Sequence, residues 1–327
     1  MSGTQAVTAV PVPGGAHGGT DADRPTSGAG GRTASRRFRR RHGKPPVEGA
    51  AAPLWVRIVL LLICASWVIP TLGLALTSFR PADDANASGW WTLFSNPTSL
   101  TRLTLENYGQ VFEQADMGRA FVNSMAIAVP ATIIPILVAA FAAYAFTFMT
   151  FPGRDLLLIV VVSLLVVPSQ VALVPLLQLY GQLGITGTFA AVWGAHIGFG
   201  MSLAIYLLRN FMATLPKEII ESAKVDGASH FTTFWRLIVP MSVPALASFA
   251  IFQFLWVWND LLVSLIFIGP GPNEPLTLAL VSMLGRQGQG WQLLTAGGMV
   301  TMIVPILVFL ALQRYFVRGL TAGSVKG

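Results

Sequence analysis

From residue 53 onward the chain alternates between long stretches without a formal charge and short connectors that carry one. A helix needs about 20 apolar residues to cross roughly 30 Å of hydrocarbon, so each stretch can be measured in crossings. Ile58 to Phe79, closed by Arg57 and Arg80, predicts span one, and Ala120 to Gly153, between Arg119 and Arg154, predicts span two, ending near Met149. Leu156 to Leu208 holds 53 consecutive uncharged residues, about 80 Å as a helix and too long for one crossing. The turn signal Gly181-Gln182-Leu183-Gly184-Ile185-Thr186-Gly187 divides it into spans three and four. Span five is expected from about Pro244 to Ile268, ended by Gly269-Pro270-Gly271-Pro272, and span six from about Leu294 to Phe316. Pro70, Pro130, Pro135, Pro168, Pro175 and Pro305 fall inside spans, where a proline removes a hydrogen bond and tends to kink the helix. Ala126, Ala128, Ala131, Ala139, Ala140, Ala142 and Ala143 give span two a face that neighbours can approach closely.

Composition fixes the class. Only 11% of the 327 residues are charged, against about 25% in soluble domains, and 54% are hydrophobic, with mean hydropathy +0.64. That excludes an ordinary soluble enzyme and predicts an all-α polytopic membrane protein of six transmembrane helices. Its domain comprises residues 53–327. Residues 1–52, poor in large aliphatic side chains and basic from Arg36 to Lys44, read as a disordered tail. A cleaved leader is not expected, since the first apolar stretch begins only after residue 53. With the tail inside, 17 Lys and Arg lie on inner segments and four on outer ones, so both termini are expected in the cytoplasm. The Arg36–Arg41 run then reads as an orientation signal that touches anionic lipid, with no nucleic-acid partner.

One connector has its own architecture. Between spans four and five, in a loop of about residues 212–243, Thr214 is expected to cap a short helix whose first turn holds Pro216 and Glu218, and Gly227 to stop it. Ser229 then looks like the cap of a second helix with Phe231, Phe234, Trp235 and Ile238 on one face, closed by Pro240 and Pro244. Periodicity leaves two readings open: a pair of amphipathic helices resting on lipid, or a rigid lever inserted into a soluble partner.

Chemistry-bearing motifs are scarce. None of the four lysines completes a phosphate-binding loop, there is no nucleophile elbow, and His17, His42, His196 and His230 are dispersed. Cys64 stands alone in an apolar run, so no internal disulfide or cysteine metal cluster is possible. No catalytic residue, metal ligand or cofactor is expected in the chain. Asp260, about 24 Å from the start of span five, is an intramembrane acid and therefore a candidate functional residue. With Gln253, Trp256 and Asn259 it either lines an outer substrate pathway or fixes helix packing through hydrogen bonds.

Glu221-Ser222-Ala223, then Gly227, then Leu237-Ile238-Val239-Pro240 resembles the EAA loop of binding-protein-dependent ABC importer permeases. Thr104-Leu105-Glu106-Asn107-Tyr108, Asn123-Ser124, Trp258-Asn259-Asp260 and the ending Gln313 to Gly327 extend the resemblance to carbohydrate-importer permeases of the maltose-transporter type, specifically the MalG-like subunit. The resemblance implies a sugar importer carrying an oligosaccharide, disaccharide or glycoside across a bacterial cytoplasmic membrane. Its partners would be a second, related permease subunit, two copies of a cytoplasmic ABC ATPase that binds the ATP and Mg, and an extracytoplasmic sugar-binding protein. Glu221, Ser222, Ala223, Asp226, Gly227 and Pro240 would then form the ATPase-coupling site. Thr321, Ala322, Gly323, Ser324, Val325, Lys326 and Gly327 would reach toward the ATPase dimer interface. A secondary solute transporter is the rival, but it should show an internal duplication or ion-coupling acids, and Asp260 alone is available. A polytopic enzyme would need clustered carboxylates or histidines at one membrane face, and the adjacent pair Asp83 and Asp84 lies in a polar connector.

Overall fold

The structure is a computed structural model and describes residues 53–322 apart from 115, 288 and 289; the expected tail, residues 1–52, lies outside the described residues. Those residues form helices α1 (Leu54–Ser78), α2 (Ala82–Ala87), α3 (Thr92–Ser95), α4 (Glu106–Gln114), α5 (Met117–Phe148), α6 (Arg154–Ser163) and α7 (Ser169–Gln182). They continue with α8 (Phe189–Met212), α9 (Lys217–Val225), α10 (His230–Thr233), α11 (Val239–Trp258), α12 (Leu262–Phe267), α13 (Leu276–Gln287) and α14 (Trp291–Ala322). Among the described residues, five helical segments are long and apolar enough to cross a membrane, and six if the bent pair of residues 154–166 and 169–182 is one span. This is an all-α multi-pass membrane protein.

Three expectations about the helices need correction. Pro168 does more than kink its span: α6 tightens into a 3-10 turn at Leu164–Val166, Val167 is extended, and the axis turns by 99° before α7 resumes. A proline lacks the amide hydrogen and forces the preceding residue out of helical geometry, which here ends the first half-helix outright. Span five ends ten residues early, at Trp258, because the Asp260 carboxylate accepts from the amides of Leu262 (2.9 Å) and Val263 (3.3 Å) and starts the separate helix α12. The expected second helix of the loop is not closed by Pro240 and Pro244. It runs through a π-helical turn at Phe234–Ile238 straight into α11, making one apolar element from His230 to Trp258. Pro240 falls in the first turn of α11, where a missing N–H is tolerated.

Helices α5 and α8 form the centre. Ala128, Ala131, Ala139, Ala140 and Ala143 of α5 and Ala191, Ala195 and Ala204 of α8 are all buried, the close approach that small residues permit. Trp193 of α8 donates from Nε1 to the Ala126 carbonyl of α5 at 2.9 Å. Helix α1, in contrast, buries only Gly73 and Ser78. Its end is pinned by Asn107 of α4, whose Nδ2 donates to the carbonyls of Ser78 (2.8 Å) and Arg80 (2.9 Å).

Candidate functional site

The loop that follows α8 is held by its own residues. Thr214 is not the cap expected: its Oγ1 donates to the Phe211 carbonyl at 2.7 Å, tightening the end of α8, and α9 starts behind Pro216 instead. At the other end Gly227 has φ +75°. The Gly227 amide donates to Lys224 O (3.0 Å) and the Ala228 amide to Ala223 O (2.9 Å), the paired closure that needs a left-handed residue after the helix. Ser229 accepts from the Thr232 amide at 3.2 Å and opens the next helix, as the sequence predicts.

One face of α9 is already used by the bundle. Ile220 is buried among Met212, Phe234 and Ile238, and Ala223 is buried as well. Phe141 of α5 stacks on Phe234 at 4.4 Å, and Tyr144 Oη shares a 2.9 Å hydrogen bond with His230 Nδ1. The remaining face is open. Glu221, Ser222, Asp226 and Gly227 are exposed, Val225 is 87% and Phe231 67% exposed, and Pro240 is exposed further along. Of the proposed coupling residues, only Ala223 points inward. A groove of about 450 Å³ runs beside α9, with Ser222, Asp226, Thr232 and Arg236 in its walls. An exposed short helix, fixed to two spans and tipped with apolar side chains, can transmit force to the bundle.

The candidate pathway residues separate into two pairs. Gln253 and Trp256 line a cavity beside the helix break, whereas Asn259 and Asp260 do not. Asn259 donates from Nδ2 to Leu255 O at 2.7 Å, and Asp260 holds the start of α12 while its own carbonyl accepts from Thr277 Oγ1 at 3.0 Å. His196 is completely buried, with Nε2 3.5 Å from the Asp260 carboxylate. Among the described residues no cluster of three or more His, Cys, Asp or Glu could hold a metal ion.

Several residues given no role from sequence prove structural. Asn123 of α5 donates to the carbonyls of Pro272 (2.9 Å) and Glu274 (3.0 Å), and Ser124 Oγ accepts from the Leu276 amide at 2.8 Å. Trp258 donates from Nε1 to Thr301 O at 3.1 Å. Of the C-terminal candidates, Thr321 and Ala322 are the last residues of α14, and residues 323–327 lie outside the described residues.

A crossing bundle with a broken helix and an exposed, rigidly seated loop is the architecture of a membrane transport component. Residues 135–322 match the family described as binding-protein-dependent transport system inner membrane component. The osmoprotective compounds uptake permease protein GgtD of Synechocystis sp. is 57% identical over 272 residues, 83% of this chain and 91% of that protein. The alpha-glucoside transport system permease protein AglG of Rhizobium meliloti is 58% identical over 241 residues, 72% of this chain and 63% of that protein. A chain from the crystal structure of a bacterial ABC transporter involved in alginate import superposes with a TM-score of 0.66 at 17% identity, covering 80% of this chain and 95% of that one. The chain belongs to the family of binding-protein-dependent transport system inner membrane components.

Proposed function

We propose that this chain is a permease subunit of a sugar-importing ABC transporter, and that its cargo is a small neutral glycoside. The observation that carries this reading is the family match over residues 135–322, which contains α9 and the whole exposed loop. The names of AglG and GgtD, transporters of α-glucosides and of osmoprotective compounds, support the substrate class. In the proposed assembly a second, related permease completes the pathway, two ATPase subunits bind ATP and Mg in the cytoplasm, and a sugar-binding protein delivers cargo outside. Both termini face the cytoplasm, in keeping with the 17 to 4 division of basic residues.

The proposed mechanism uses α9 as the joint. Glu221, Ser222, Asp226 and Gly227 contact a cleft of the ATPase, and closure of the ATPase pair on ATP pulls α9 inward. Because Phe141 and Tyr144 clamp the next helix to α5, that displacement moves α5 and α11 together. Thr321 to Gly327 reach the ATPase interface. ATP supplies the free energy when bound by the partner; this chain supplies the lever and the pathway wall.

Reconstitution tests the reading. Proteoliposomes containing both permeases and the ATPase should take up sugar only with ATP and binding protein, and this chain alone should take up none. ATP-independent uptake by the isolated chain would overturn it.

A further inference from the structure

A cavity of about 520 Å³ lies between the broken helix, α8 and α11. It exists because Pro168 ends one half-helix, leaving Val167 and Pro168 exposed and in extended backbone geometry between the two halves. Within a membrane such backbone is tolerated only inside protein or beside water. The walls fit that requirement. Helix α7 contributes Ser169 and Gln170, α8 contributes Ser202, and α11 contributes Gln253 and Trp256.

Two of these groups are held in place. Gln253 is 1% exposed, and its Nε2 donates to Ala131 O at 3.2 Å and His196 O at 3.4 Å, which fixes the rotation of the amide. The Trp256 indole meets the buried His196 ring edge to face at 5.3 Å and 88°, which limits its tilt. No residue lining the cavity carries a formal charge. Amides, hydroxyls and a fixed indole suit a ligand with hydroxyl edges and a C–H face, and the lining holds no cation to offset the charge of a carboxylate or phosphate. The volume falls within the roughly 300–1,000 Å³ typical of small-ligand sites.

We propose that this cavity is a sugar subsite, that Trp256, Gln170 and Ser169 contact one neutral pyranose within it, and that it excludes acidic sugars. The proposal rests on the sugar-import reading above. The test uses the complete importer in proteoliposomes at saturating binding protein, with radiolabelled trehalose, sucrose and maltose as probes. Sugar delivered per ATP hydrolysed, compared across the three sugars, is the readout, because a defect in assembly or coupling lowers it for all three alike and leaves their ranking unchanged. Trp256→Ala and Gln170→Ala should each lower the ratio about fivefold or more and change the ranking of the three sugars, with Trp256→Phe restoring much of it. A ratio and ranking within twofold of the parent in assembled Trp256→Ala and Gln170→Ala complexes would overturn the subsite while leaving sugar import intact. Should Trp256→Ala fail to assemble, Gln170→Ala and Ser169→Ala decide by the same criterion. A parent complex that hydrolyses ATP and carries none of the three sugars overturns both readings.

Discussion

The amide of Gln253 on α11 sits so close over Gly200 on α8 that a methyl group on Gly200 would lie 2.6 Å from Oε1 and 2.7 Å from Nε2. The contact couples two helices through a position where only hydrogen fits. Gly200→Ala should push the amide off its two carbonyl partners. An unsatisfied buried polar group costs about 1–3 kcal/mol, so the purified variant should melt several degrees lower. An unchanged midpoint would show that the amide can move without loss.

Gly227→Val introduces a β-branched residue where φ is +75°. The left-handed region costs such residues on the order of 1–3 kcal/mol, and the strain is relieved by unwinding the end of α9. Sugar uptake by the assembled importer should fall at least tenfold while ATP hydrolysis persists. Uptake equal to the parent would count against α9 as the joint.

Asn107 is 4% exposed and closes the end of α1 with two side-chain hydrogen bonds. Asn107→Ala leaves two carbonyls without those partners, a loss of about 1–3 kcal/mol. Limited proteolysis should cut the connector between α1 and α4 sooner in the variant than in the parent.

Tyr144→Phe removes only a hydroxyl, keeping the ring against Phe234 at 5.5 Å but deleting the hydrogen bond to His230. A hydrogen bond of this kind contributes about 0.5–1.5 kcal/mol. Amides of residues 230–238 should exchange with deuterium up to about tenfold faster, and α9 itself should be little affected.

Asp260→Ala removes the acceptor at the start of α12, where the Leu262 and Val263 amides have no earlier helical carbonyl. Loss of such a cap costs about 0.5–2 kcal/mol. Asp260→Asn, which retains an acceptor oxygen, should recover most of the thermal stability, and no recovery would show that the charge matters beyond capping.

The crossings and the loop are legible because their signals are local. Uncharged length marks α1, α5, α8 and α14, and Gly227 marks the end of α9 whatever surrounds it. The break at Pro168 was less so, since Pro130 and Pro135 sit within the unbroken α5 and look the same in sequence. What differs is packing: both lie in a helix buried against α8, whereas Leu164 to Pro168 are all exposed residues. The run-on into α11 was hidden by Pro240, whose missing amide is harmless once a π-helical turn precedes it. Asn107 and Asn123 could be recognised as family positions, yet their partners lie 29 and 149 residues away, at Ser78 and Pro272. No local pattern encodes such a pairing. Gln253 and Trp256 were legible as polar and aromatic interruptions of an apolar span, but their cavity depended on a bend elsewhere.

The segment from His230 to Trp258 is helical for 29 residues without interruption, about 43 Å at 1.5 Å per residue. It begins one turn of chain after Gly227 and ends two residues before Asp260. A rod of that length needs no relay: a tilt of about 5° imposed at its foot moves its far end by about 4 Å, more than the rise of two helical residues.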